Sequence, residues 1–168
     1  MKLIVLLFLI TTLNVHADGI LFSKGKSSTI DENIADKIGY LYEVKNPWGD
    51  LVSSNLFLNW EASYFVWENK YGDDITGGAI IPLIGYSYKF MDKEFYIRAG
   101  VGVAYLDQTR WGNRHLGDNW TFEDKIDFGV NLHKHSNISF SLTHYSNAAT
   151  NKNNDGVNIF SLNYTFKW

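Results

Sequence analysis

The 168-residue chain carries 15 Lys and Arg against 18 Asp and Glu, a formal net charge of -3, which excludes the clustered basic excess of a nucleic-acid-binding surface. It has no cysteine, and this excludes a disulfide framework, a thiol nucleophile and a thiolate metal site. With 16% aromatic residues, 2 prolines and a mean hydropathy of -0.19, the composition fits neither a helical membrane protein nor an ordinary soluble domain.

Met1-Lys2, the apolar run Leu3–Ile10 and then Val15-His16-Ala17 have the layout of a secretory signal peptide cleaved after Ala17. Its apolar core is too short for a membrane-spanning helix, which needs about 20 residues. Residues 1–17 are therefore set apart from a single domain at 18–168.

Alternation of apolar and polar residues dominates that domain, and it predicts strands. A short opening strand carries Ile20 and Phe22. The next carries Ile38, Tyr40, Tyr42 and Val44, and a third carries Leu56, Leu58, Trp60, Ala62, Tyr64 and Val66. Then come Ile80, Pro82, Ile84, Tyr86, Tyr88 and Phe90, followed by Phe95, Ile97, Ala99, Val101, Val103 and Tyr105. The sixth, at 118–132, sets Trp120, Phe122, Ile126, Phe128, Val130 and Leu132 against Thr121, Glu123, Lys125, Asp127 and Asn131. In the seventh, 136–146, Ile138, Phe140 and Leu142 alternate with Ser139, Ser141 and Thr143. The last sets Phe160, Leu162, Tyr164, Phe166 and Trp168 against Ser161, Asn163, Thr165 and Lys167. Turn-rich segments separate the eight, among them Ser27 to Asn33, Asn46 to Asp50, Gly72 to Asp74, Gly112-Asn113, His133 to Ser136 and Asn147 to Gly156.

Several strands reach the ten or so residues of a tilted bilayer-spanning strand, and aromatics gather toward strand ends as interfacial girdles do. The export signal and the ending Tyr164-Thr165-Phe166-Lys167-Trp168, similar to the aromatic terminus of bacterial outer-membrane barrels, agree. The expected fold is an all-β, eight-stranded antiparallel transmembrane β-barrel in the outer membrane of a Gram-negative bacterium, apolar face outward. A soluble sandwich or lipocalin alternates too, with the faces reversed. An even strand number puts both termini at the periplasm, so the segment at 144–156 lies at the external end.

Parity then assigns faces. His144 and Ser146 continue the lipid-facing row of Ile138, Phe140 and Leu142. Asp124 interrupts the same face of the preceding strand roughly opposite 144, and Asn158 heads the final outward row. Four polar groups in one lipid-facing patch can reflect interfacial depth alone, or a nucleophilic site in which the imidazole takes the hydroxyl proton. Arg98, Glu123, Lys125, Asp127 and Asn131 share the inner parity and read as a lumen network. His133-Lys134-His135 has metal-ligand spacing but reads as a solvated turn without an acidic partner. Gly100-Val101-Gly102 reads as strand packing.

His144-Tyr145-Ser146-Asn147-Ala148 followed by Asn154-Asp155-Gly156, with Phe122-Glu123-Asp124, resembles the signature of the lipid A 3-O-deacylase (PagL) family. The resemblance implies a cofactor-free hydrolase acting on lipid A of lipopolysaccharide in the outer leaflet. It implies Ser146 as nucleophile, His144 as general base, and Asn147 with a nearby backbone N–H at the oxyanion hole. The family's glutamate position holds Asn158, so the third member of the triad is Asn158 or Asp124. The competing readings are a non-enzymatic barrel, adhesive or structural, and a lipid A acyltransferase. A homodimer stays open.

Overall fold

The computed structural model describes residues 19–30, 33–44, 47–48, 55–70 and 72–168; the signal peptide expected at 1–17 lies outside them, as do Asn46, Gly49 and Asp50 of the expected second turn. Ten strands follow in order: β1 (Gly19–Ser27), β2 (Ile34–Val44), β3 (Leu56–Trp67), β4 (Ile75–Phe90), β5 (Lys93–Leu106), β6 (Arg110–Trp111), β7 (Arg114–His115), β8 (Trp120–His133), β9 (Ser136–Ser146) and β10 (Val157–Lys167). Eight of them close an antiparallel barrel in the order β1-β10-β9-β8-β5-β4-β3-β2, each strand paired to its neighbours and β1 to β10. Full closure leaves no open edge, which a strand solvated by hydrocarbon requires. β6 and β7 form a separate two-stranded hairpin between β5 and β8, where the sequence predicts only a turn at Gly112-Asn113.

The side-chain alternation has the sign that parity predicts. Ile80 (55% exposed), Val101 (59%) and Leu162 (62%) face outward, whereas Glu61, Glu123 and Asp127 are fully buried inside. An apolar outer wall around a charged interior is the reverse of a soluble barrel and matches a bilayer solvent. Gly100 and Gly102 lie in β5 where Pro82 interrupts the pairing with β4. A Cβ on either would run into the backbone of Pro82 or Ile80, which confirms a packing role for both glycines.

The interior is filled in tiers. At the outer end Trp67 packs against Phe65, Trp111 and Tyr145 with ring centroids 5.0, 4.8 and 4.7 Å apart, and the Trp111 indole N–H donates to Glu68 O at 2.9 Å. Trp111 comes from the β6–β7 hairpin, which thus caps the barrel. Below this plug Lys37 meets Glu123 at 2.6 Å, Lys125 meets Glu61 at 2.7 Å, and the Tyr145 hydroxyl donates to Glu123 at 3.0 Å. Arg98 pairs with Asp127 at 2.7 Å and donates to Asn59 at 3.0 Å. The predicted lumen network is therefore present, with Asn131 bound to Glu94 near its periplasmic end.

Breaking a buried pair on one side leaves an uncompensated charge, at a cost of about 3–5 kcal/mol. Glu61→Leu strands Lys125 and removes a carboxylate 3.6 Å from Lys37. This variant is expected to unfold at a clearly lower temperature in detergent, read from the heat-dependent gel mobility of the barrel. An unchanged transition would mean that Lys37 and Lys125 find other partners.

Candidate active site on the outer wall

Three adjacent strands carry the site. In their register Asp124 of β8 stands opposite His144 of β9, His144 stands opposite Asn158 of β10, and Ser146 stands opposite Phe122. All four polar side chains occupy outward positions and are half-buried. The sequence-predicted patch is thus assembled, with the imidazole between an amide on one flank and a carboxylate on the other.

The two flanks differ. His144 Nδ1 lies 2.7 Å from Asn158 Oδ1. An amide oxygen only accepts, so Nδ1–H donates and Nε2 is left with a free lone pair, the tautomer a general base needs. The Asp124 carboxylate has no hydrogen-bonded partner among the described residues, so it can act on His144 only through its charge. The Ser146 hydroxyl likewise has no hydrogen-bonded partner among the described residues, an open arrangement common in substrate-free sites.

Gly156, part of the Asn154-Asp155-Gly156 signature, packs against the imidazole. Its φ is +61°, and a Cβ there would lie 2.9 Å from His144 Cε1 and 3.5 Å from Nε2. Any side chain would push the Cε1–Nε2 edge of the ring, and the backbone conformation disfavours one as well. A glycine directly before a predicted outward strand is the signal that could have found it. Gly156→Ala is expected to lower kcat by roughly tenfold or more through displacement of the imidazole. Parallel kinetics and melting curves check this, since a purely structural effect would move stability and leave kcat alone.

Asn147 holds the loop that follows the serine. Its side-chain amide donates to Leu116 O at 2.9 Å and to Asn153 O at 2.8 Å, and its backbone N–H donates to Asn154 Oδ1 at 3.0 Å. The oxyanion role expected of Asn147 meets a side chain whose donors are already committed. The next residue, Ala148, is exposed with φ +50°, and its N–H has no partner among the described residues. Ala149 follows at φ +63° with its own N–H on Asn147 Oδ1 at 3.0 Å.

The capping hairpin clasps this loop. The His115 backbone N–H donates to Asp155 Oδ2 at 2.7 Å, the Asp155 N–H donates to His115 O at 3.1 Å, and the Arg114 guanidinium donates to Asp155 O at 3.1 Å. Asp155 therefore points into the loop contacts and away from the patch. Sequence reasoning missed the clasp because β6 and β7 are too short to show periodicity.

A small internal cavity lined by Lys37, Phe65, Lys125, Thr143 and Tyr145 lies inside the barrel, on the other side of the wall from His144 and Ser146. Access to the site is thus lateral, from the surrounding medium. His133 and His135 sit at the opposite end. His135 Nδ1 lies 3.1 Å from Lys167 O, and no group of three or more metal-binding side chains occurs among the described residues.

A family model described as lipid A 3-O-deacylase (PagL) matches residues 36–167. A lipid A deacylase PagL of Pseudomonas aeruginosa is 29% identical over 145 residues, covering 84% of this chain and 83% of that protein. A second, from Bordetella bronchiseptica, is 26% identical over 133 residues, covering 66% and 74%. The crystal structure of the outer membrane enzyme PagL superposes with a TM-score of 0.79 at 26% identity, covering 89% of this chain and 99% of that one. Neisserial surface protein A, at 12% identity and a TM-score of 0.53, shares the fold alone.

Proposed function

The chain belongs to the lipid A 3-O-deacylase (PagL) family, and we propose that it hydrolyses the 3-O-linked acyl ester of lipid A from the outer wall of an outer-membrane barrel, with Ser146 as nucleophile. The observation that carries this reading is the His144–Asn158 contact beside Ser146 on a largely apolar outer wall. A buried or soluble esterase has no use for that placement, whereas a lipid ester in the outer leaflet reaches it by lateral diffusion.

In the proposed reaction His144 Nε2 takes the Ser146 proton as Oγ attacks the ester carbonyl. The free N–H of Ala148, held in place by the Asn147 loop, donates to the developing oxyanion. The tetrahedral adduct collapses with return of that proton to the sugar 3-oxygen, which leaves as an alcohol. Water then attacks the acyl-serine, giving its proton to His144, and the collapse of the second adduct returns that proton to Ser146 Oγ and releases the fatty acid. Asn158 keeps the ring in its productive tautomer, and Asp124 supplies the negative charge that favours imidazolium.

Purified protein in mixed micelles with lipid A tests the reading. Release of one fatty acid, with the remaining esters and amides intact by mass spectrometry, is the expected product. A product cleaved elsewhere would reassign the specificity. No product at all would leave the non-enzymatic barrel as the better account.

A further inference from the structure

The outer wall carries more polarity than the catalytic patch. Even positions of β1 face outward with Ile20 and Phe22, and after them come Lys24 and Lys26, both exposed. The Lys26 ammonium has no hydrogen-bonded or ionic partner among the described residues. Lys24 has only Asp36 at 3.4 Å, in a pair whose side chains are 71% and 49% exposed.

Their level on the barrel follows from the register. Hydrogen-bonded partners traced from Lys24 run through Leu162, Phe140, Phe128, Ile97 and Tyr86 to Leu56, the periplasmic first residue of β3. Rows therefore slope toward the periplasm in that direction, as the tilt of a closed barrel requires. Residues of equal height lie slightly farther out on each successive strand. With that slope, Lys26 is level with Asn158 and His144, and Lys24 is level with Asp124. At the same height β3, β4 and β5 present Tyr64, Ile80 and Val103. One arc of the wall, over β8, β9, β10 and β1 and reaching Asp36 of β2, is polar, where β3, β4 and β5 are apolar.

An unpaired ammonium facing hydrocarbon is costly, and the cost disappears where it meets an anionic headgroup. We propose that Lys26, assisted by Lys24, forms an anion subsite that holds a phosphate of the glycolipid headgroup while its ester reaches Ser146. The backbone of Lys26 lies roughly 8 Å from that of Asn158 and roughly 12 Å from that of His144, by strand spacing and rise per residue. That separation suits two substituents on one acylated, phosphorylated sugar headgroup. Lipid A is such a molecule, so the subsite rests on the function proposed above and deepens it.

The test separates binding from cleavage. Ser146→Ala protein in neutral phosphatidylcholine vesicles is titrated with phosphorylated lipid A and with the same lipid A after phosphatase treatment. Adding Lys24→Ala and Lys26→Ala is expected to weaken the first about tenfold, the scale of one charge-assisted contact, and to leave the second unchanged. Lys26→Arg should keep the affinity. In the Ser146-containing protein the same double substitution should raise KM about as much with kcat unchanged. Equal affinities with and without the lysines, or an equal loss for both lipids, would overturn the subsite. So would displacement by inorganic phosphate as effective as that by phosphorylated lipid A, which would make the pair a site for free anions. If no ester is ever cleaved, the binding arm still reads the subsite, so its failure and that of the esterase reading are distinct.

Discussion

Ser146→Ala is expected to reduce lipid A ester hydrolysis by about ten-thousand-fold or more, since removal of a nucleophilic serine leaves only what binding and oxyanion contacts supply. The hydroxyl has no hydrogen-bonded partner among the described residues, and Ser146 stands at the last position of β9, opposite Phe122 at the outer end. Deleting one oxygen there disturbs neither the barrel pairing nor the lumen network, so heat-dependent gel mobility should stay as in the parent protein. His144→Ala should be nearly as severe, because serine without a base is a poor nucleophile. Activity retained in a folded Ser146→Ala protein would remove the serine mechanism outright.

The second large effect lies in the charge beside His144 in the proposed mechanism. Asn158 gives His144 an oriented hydrogen bond at 2.7 Å but no negative charge to stabilise the imidazolium. Asn158→Glu places a carboxylate on the same outward position and should raise kcat at least about tenfold, part of the factor by which a carboxylate exceeds its amide in serine hydrolases. Asp124 acts from the other flank without a hydrogen bond. At an effective dielectric of about 20, a unit charge 4 Å away is worth about 4 kcal/mol, and less with distance and solvent. Asp124→Asn should therefore lower kcat by roughly tenfold, and the double variant Asp124→Asn with Asn158→Glu should recover most of that loss. Undiminished activity in Asp124→Asn would reject its role as the source of charge. A loss that Asn158→Glu does not repair would make Asp124 a structural residue.

Period-two patterning made most of the barrel readable, because a slip of one residue would have turned every apolar side chain to the wrong face. The same parity placed His144, Ser146, Asp124 and Asn158 on one wall, and the register joined them as expected. What stayed hidden depends on contacts between segments far apart in sequence. Trp111 in the β6–β7 hairpin looks like a loop residue until it is seen packed against Trp67, 44 positions earlier, with its indole N–H on the Glu68 carbonyl. The family resemblance offered Asn147, with a nearby backbone N–H, for the oxyanion hole, and no periodicity shows that its side-chain amide spans Leu116 and Asn153 in the loop clasp. Lys24 and Lys26 shared the parity of Ile20 and Phe22, and only the slope of the barrel rows brought them level with the site.

Mass spectrometry of lipid A extracted from cells that produce the protein tests the central claim most directly. Wild-type protein should yield lipid A lighter by a single 3-linked acyl chain, and Ser146→Ala protein of equal abundance in the outer membrane should leave lipid A unmodified. Identical spectra from the two, or the same mass loss with both, would contradict the account.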